Sequence, residues 1–275
     1  MKFLDAHTHV HFEAYQKDRD EVMRRAQDAR VGTVLVGTNK TTSKDAVTFS
    51  EQYRDSWASV GLHPIHANPS FHDAEEVAEQ TLPEETFDAE FYGSLAKHKK
   101  VVAVGECGLD YHHISGEEEK KNQQNVFKSQ ILFSRRIQKP LMIHCRDAYQ
   151  DLIGILRESP LTENPGIIHF FSGTEKEAKT LLDMGFHFTF GGAVTLPPKK
   201  NGTDYTSILK IMPLGRILTE TDAPYVAPLS HRGRRNEPSY IIEIVEKLSA
   251  MKNISLEEMR LQILQNAQRV LNIPS

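Results

Sequence analysis

Two cysteines in 275 residues cannot build a disulfide framework, and neither Cys107 nor Cys145 belongs to a CxxC pair that would bind zinc or do redox work. That scarcity predicts a reducing compartment and hence a cytoplasmic protein. No run approaches the roughly 18 apolar residues of a membrane span, and MKFLDAHTHV lacks the long apolar stretch of a secretory leader. Neither membrane insertion nor secretion is expected. No GxGxxG turn or P-loop opens a first helix, which removes the usual dinucleotide and nucleotide-phosphate sites. Linkers and low-complexity stretches are also missing, so residues 1–275 are expected to form one domain. An excess of positive charge is missing too: 33 Lys and Arg face 37 Asp and Glu, a formal −4 that argues against holding nucleic acid by a basic surface alone.

What little charge asymmetry exists is local. Residues 65–95 hold Asp73, Glu75, Glu76, Glu79, Glu84, Glu85, Asp88 and Glu90 with no Lys or Arg, and without them the −4 becomes +4. Such a run is expected to be a solvated surface with no partner, leaving a mildly positive body for an anionic substrate.

Eight β-branched and apolar runs recur along the chain: KFLDAHTH, VGTVLVGT from Val31, WASVGLHP from Trp57, VVAVGECGLDY from Val101, PLMIHCRD from Pro140, GIIHFFSG from Gly166, HFTFGGAVT from His187 and ILTETDAPY from Ile217. Many are apolar on both alternations, as strands covered by helices should be. Helical periods fill the gaps, at 18–30, 117–138 and 174–183. A last helix opens with a Ser255–Glu258 capping box and turns Leu256, Met259, Ile263, Leu264, Val270 and Leu271 to one face. Eight strand–helix repeats predict an α/β fold, a single (β/α)8 TIM-type barrel, over an open doubly wound sheet.

Ligand-type side chains recur at the ends of these runs. His7 and His9 lie two apart and share a strand face with Asp5; Glu106, His144, His169 and Asp222 stand late in the fourth, fifth, sixth and eighth runs. In a barrel these ends converge on the C-terminal mouth, where active sites of the fold lie. Four imidazoles and two carboxylates left unpaired there would be costly, and divalent metal removes the cost. The nitrogen and oxygen donors suit Mg2+, Mn2+ or Zn2+, and six donors exceed one four-coordinate site, so two ions sharing Glu106 are expected. Cys107 and Cys145 each follow a ligand, but alternation turns them from the mouth into packing. Trp57 is read as core rather than as a stacking platform for bases.

In sequence order, DAHTH (5–9), GLHP (61–64), GECGLDY (105–111), IHCRD (143–147), HFFSG (169–173), TETDAPY (219–225) and RGRRNEP (232–238) resemble the TatD-type metal-dependent deoxyribonucleases of the amidohydrolase-like barrels. The likeness covers nearly the whole chain. It implies that His7, His9, Glu106 and Asp222 hold one metal while Glu106, His144 and His169 hold the second. It also implies that His63 and Glu220 contact substrate or support ligands. Glu106 stands where a dihydroorotase-like relative would carry a carbamylated lysine, which favours the nuclease branch.

The activity expected is hydrolysis of DNA phosphodiesters by a metal-activated water, because a bound ion lowers the pKa of water from about 15.7 toward about 7. Glu106 and Asp222 are the expected catalytic carboxylates, Asp222 as the proton acceptor. Arg146, Arg232, Arg234 and Arg235 fall in loops at the mouth and are expected to grip phosphate. By the resemblance, the substrate is a single-stranded DNA 3′ end trimmed 3′ to 5′, with RNA also considered and no obligate protein partner foreseen. The leading alternative is an ester or amide hydrolase such as a D-aminoacyl-tRNA deacylase. A small-molecule phosphatase, a cyclic-amide hydrolase and a non-catalytic scaffold follow.

Overall fold

A strand falls on each of the eight apolar runs, the third beginning one residue early at Ser56, in the computed structural model, which describes residues 1–68, 75–76, 85–112, 114, 116–198 and 202–274. The strands are β1 (Phe3–Thr8), β2 (Val31–Val36), β3 (Ser56–Val60), β4 (Val101–Asp110), β5 (Leu141–Arg146), β6 (Gly166–Ile168), β7 (His187–Phe190) and β8 (Ile217–Thr219). They pair in parallel, each with the next in sequence. The ring is brought round from β8 to β1 by Thr219 Oγ1 donating to Leu4 O at 3.2 Å and, past the strand end, by Asp222 N donating to His7 O at 2.9 Å. The result is the nearly closed α/β barrel of TIM type that the repeats predict.

Seven helices lie between successive strands, α1 (Arg19–Asp28), α2 (Lys40–Ser50), α3 (Ala89–Ala96), α4 (Glu117–Ile137), α5 (Tyr149–Glu158), α6 (Glu175–Asp183) and α7 (Tyr205–Ile211), and two follow β8, α8 (Ile241–Lys252) and α9 (Leu256–Leu271), among the described residues. Local chemistry starts them. Asn39 with Thr42 and Thr174 with Glu177 form full capping boxes on α2 and α6, and such an N-cap side chain contributes about 1 kcal/mol. At α9 the Ser255 half of the expected box forms, its Oγ accepting from Glu258 N at 3.1 Å. Met259, Ile263, Leu264, Val270 and Leu271 are buried as expected, whereas Leu256 in the first turn is 38% exposed. No helix among the described residues is long and apolar enough to cross a membrane.

Position along the barrel axis decides what each end of the strands can do. α9 lies against the entry end: Asn266 Nδ2 donates to Ile217 O at 2.8 Å, Asn164 Nδ2 just before β6 donates to Val270 O at 2.8 Å, and Leu264, Ala267, Val270 and Leu271 cluster with Leu4, Val34, Met142, Ile167 and Leu218. With that end sealed by apolar packing, the polar chemistry is left to the opposite mouth. Trp57 belongs to the same cluster and carries Lys100 Nζ 5.7 Å from its ring centroid, so it is a core residue. Cys107 and Cys145 are free, buried and packed among helix side chains.

The acidic run departs from a partnerless surface at Glu76, Glu85 and Asp88, while Glu75 and Glu90 are exposed as expected. Glu76 is buried and accepts from Thr38 Oγ1, from Asn39 Nδ2 at 2.8 Å and from His66 Nε2 at 3.0 Å. Glu85 accepts from Tyr92 OH at 3.2 Å, and Asp88 caps α3 and pairs with Lys40 at 3.2 Å. The physical reason is that a buried carboxylate is tolerable only when hydrogen-bonded, a condition met here by neighbours distant in sequence. Asp73, Glu79 and Glu84 lie outside the described residues.

Candidate metal centre

Three strands bring donors to the mouth from within and three deliver them just beyond their ends. His7 lies in β1, Glu106 in β4 and His144 in β5, while His9 follows β1 by one residue, His169 follows β6 by one, and Asp222 stands three past β8. Glu106 thus sits inside a ten-residue strand rather than at its end. On β4 the register against β3 shifts between Val101 and Ala103, and the register against β5 shifts between Val104 and Cys107. Gly105 makes that passage workable, because its φ is +156° and a side chain there would meet Met142 O at 2.4 Å. Asp222 has φ +55°, in a left-handed turn that follows β8.

The two oxygens of Glu106 divide the donors. Oε2 lies 3.3 Å from His7 Nε2 and 3.6 Å from His9 Nε2. Oε1 lies 3.2 Å from His63 Nε2, 3.1 Å from His144 Nδ1 and 2.9 Å from His169 Nε2. Asp222 Oδ1 joins the first group, 3.7 Å from His7 Nε2 and 3.5 Å from His9 Nε2. Among the described residues three overlapping sets emerge, His7 with His9 and Asp222, His7 with Glu106 and His169, and His63 with Glu106 and His144, each with its donor atoms within 4.8 Å of one another.

Proton bookkeeping shows that a cation fits both sides. His9 Nδ1 is 2.7 Å from Val36 O, which can only accept, so Nδ1 carries a proton and in the neutral ring Nε2 turns its lone pair toward Asp222 and Glu106. His144 Nε2 is 3.1 Å from Asp110 Oδ2, so in the neutral ring Nδ1, 3.2 Å from His169 Nε2, turns its lone pair toward Glu106 Oε1. Lone pairs facing carboxylate oxygens repel unless a proton or a metal ion lies among them. Electrostatics lean the same way: burial alone would raise the Glu106 carboxyl, but His63, His169, His7 and His144 hold it well below the usual range. Asp222 is likewise held low against burial by the His9 hydrogen bond.

His63 is set apart from the other imidazoles by its backbone. Its Nδ1 accepts from Ile65 N at 3.2 Å, so Nε2 holds the proton and donates to Glu106 rather than offering a lone pair. Glu220 is fully buried; its Oε1 accepts from Phe170 N at 2.6 Å and lies 3.5 Å from His169 Nδ1. Arg146 ends β5 with its side chain exposed, and Arg232 and Arg234 are exposed in the loop after β8. Arg235 is different. Its guanidinium donates to Asp18 Oδ2 and Ala14 O, both at 2.5 Å, and lies 4.2 Å from the Tyr15 ring centroid, so it fastens the loop to the start of α1.

Two features escaped the sequence reading. Asp110 was legible only as part of GLDY, although alternation places 106, 108 and 110 on one strand face. Asp5, expected to share the face of His7 and His9, has a partner the sequence did not announce, accepting from Thr221 N at 2.8 Å and from Thr221 Oγ1 at 2.5 Å. No local pattern announces a partner so far along the chain.

Comparison with known proteins agrees with this architecture. The family model described as TatD related DNase matches residues 4–272. The metal-dependent hydrolase YabD of Bacillus subtilis is 35% identical over 98% of this chain and 99% of its own length. A protein of Erwinia tasmaniensis named 3′-5′ ssDNA/RNA exonuclease TatD is 30% identical over 94% of this chain and 95% of its own. Among solved structures, the TatD homologue YJJV of Escherichia coli superposes with a TM-score of 0.83 at 24% identity, covering 99% of both chains. The chain belongs to the TatD-related DNase family of metal-dependent hydrolases.

Proposed function

We propose that this chain is a 3′-5′ exonuclease of single-stranded DNA, working with two divalent ions. The observation that carries the two-ion reading is the division of Glu106: one oxygen faces His7 and His9, the other His144 and His169. His7, His9, Asp222 and Glu106 Oε2 would hold one ion; His144, His169 and Glu106 Oε1 would hold the other. Bound there, Mg2+, Mn2+ or Zn2+ would activate water and stabilise charge on the attacking and leaving oxygens. The nucleic-acid reading draws on the relatives named as single-strand exonucleases at 30% and 31% identity.

The remaining roles belong to the protein. Asp222, with its side chain 16% exposed beside donors that are 0–5% exposed, is the carboxylate open enough to take a proton from the attacking water. His63 supports the site by holding Glu106 through its Nε2–H. Glu220 supports the His169 strand end through Phe170 N. Arg146, Arg232 and Arg234 attract the substrate's phosphates, Arg235 contributing by holding their loop. Two free, buried thiols suit a reducing, cytoplasmic setting.

A matched-metal panel of 5′-labelled single-stranded DNA, duplex DNA, RNA, closed circular DNA and D-aminoacyl-tRNA tests the proposal. A ladder shortening from the 3′ end of single strands, abolished by chelation and restored by Mg2+ or Mn2+, is expected. Efficient nicking of circles would replace exonuclease by endonuclease action. Rapid deacylation with inert DNA would put the acyl-ester reading in its place.

A further inference from the structure

The position of Asp110 explains how His144 can serve as a ligand through the less common choice of ring nitrogen. Asp110 is 3% exposed and stands on β4 four residues after Glu106, on the same strand face. Gln123 of α4 clamps its backbone from both sides, Oε1 accepting from Asp110 N and Nε2 donating to Asp110 O, each at 2.9 Å. Oδ1 accepts from His112 N at 2.9 Å, and Oδ2 accepts from His144 Nε2 at 3.1 Å. The His63 ring closes the other side of His144 edge-on, with centroids 4.4 Å apart.

A neutral imidazole without such a partner carries its proton on either nitrogen. In one of the two tautomers an N–H would occupy the space beside Glu106 Oε1, and the ring could no longer donate a lone pair there. A buried carboxylate on Nε2 removes that tautomer and fixes the ring plane. We propose that Asp110 is a positioning residue that selects the Nε2–H form of His144 and thereby sustains the ion position made by His144, His169 and Glu106 Oε1. The inference rests on the two-ion reading. The other position has a different support: His9 is fixed by the backbone carbonyl of Val36, which no side-chain substitution removes. Loss of Asp110 should therefore weaken one ion and spare the other.

The test is metal binding to stripped protein, followed with Mn2+ or Zn2+ by calorimetry and elemental analysis, so that turnover is not needed. Wild type should bind two ions. Asp110→Ala should weaken one of them about 10- to 100-fold, the range for loss of a group that orients a ligand, and leave the other unchanged. In a His144→Ala background the same substitution should cost nothing further, because residues acting through one another are not additive. Two ions held with wild-type affinity by Asp110→Ala, or a full additional loss in the His144→Ala background, would overturn the assignment. A single ion in wild type would sink the two-ion reading alone; indifference of that ion to Asp110→Ala would then sink this one as well. If Asp110→Ala does not fold, 15N spectra of His144 in Zn2+-loaded wild type decide the matter. Nε2 protonated with Nδ1 on the metal is expected, and the reverse tautomer refutes it.

Discussion

Asp5 and Thr221, separated by 216 residues, are joined twice across the seam between β1 and the end of β8: Asp5 Oδ1 accepts from Thr221 N at 2.8 Å and Oδ2 from Thr221 Oγ1 at 2.5 Å. The pair lies beneath the donors, one residue before Asp222 and two before His7. It fastens together the two segments of the chain that carry the first group of candidate ligands. Asp5→Ala would leave a buried N–H and hydroxyl without an acceptor, which costs about 1–3 kcal/mol. Asp5→Asn, able both to accept and to donate at the same places, should lose less. Urea unfolding of the two variants measures the difference, and an Asp5→Ala protein as stable as wild type would show that the seam is held elsewhere.

Glu106 stands between both groups of donors, so its removal should harm more than that of any single histidine. Glu106→Ala is expected to bring hydrolysis near background and to lose both ions, a larger effect than the roughly 10- to 100-fold typical of an orienting group. Elemental analysis after gel filtration checks the stoichiometry. Retention of two ions per chain would mean that Glu106 does not join the sites.

The loop arginines should separate into two kinds. Arg232→Ala and Arg234→Ala should raise KM with little change in kcat, and each should flatten the slope of log affinity against log salt by about 0.7 for one lost single-strand phosphate contact. Arg235 is already committed to Asp18 and Ala14, so Arg235→Ala should lower Tm and leave the slope alone. Binding would be measured with a short oligonucleotide in the presence of chelator. Equal slopes for Arg232→Ala, Arg234→Ala and wild type would return those arginines to ordinary surface charge.

Glu76 ties stability to pH. Burial pushes its carboxyl up, but the His66 and Thr38 hydrogen bonds prevail and hold it below the ordinary 4.5. The unfolded chain then binds the proton more readily, so this contribution is complete above 4.5 and is lost as pH falls through the lower folded value. Glu76→Gln should be less stable than wild type at neutral pH, with the gap closing in acid. Melting curves across that range test it; a gap that stays constant would assign the loss to packing.

Burial pushes both thiols well above their usual range. Cys107 and Cys145 should therefore react with a thiol reagent only after denaturation, and rapid labelling of native protein would contradict the packing described.

The repeating apolar runs and the helical periods between them determined the barrel, because alternation and 3.6-residue periodicity are local properties that each segment satisfies with whatever neighbour covers it. The donor residues were legible for a related reason: His7, His9, Glu106, His144, His169 and Asp222 are polar interruptions in segments that otherwise demand apolar side chains, and the barrel leaves such interruptions one end at which to meet. Tertiary structure alone decided the pairings. That Asp5 serves Thr221, that Asp110 holds His144, that Arg235 is occupied by Asp18 and that Glu76 is buried against Thr38, Asn39 and His66 depends on which charged and polar groups become neighbours once water is excluded. Desolvation makes the partners of the buried Asp5, Asp110 and Glu76 obligatory, but only the closed ring of strands determines which partner is within 3 Å or so, the reach of a hydrogen bond.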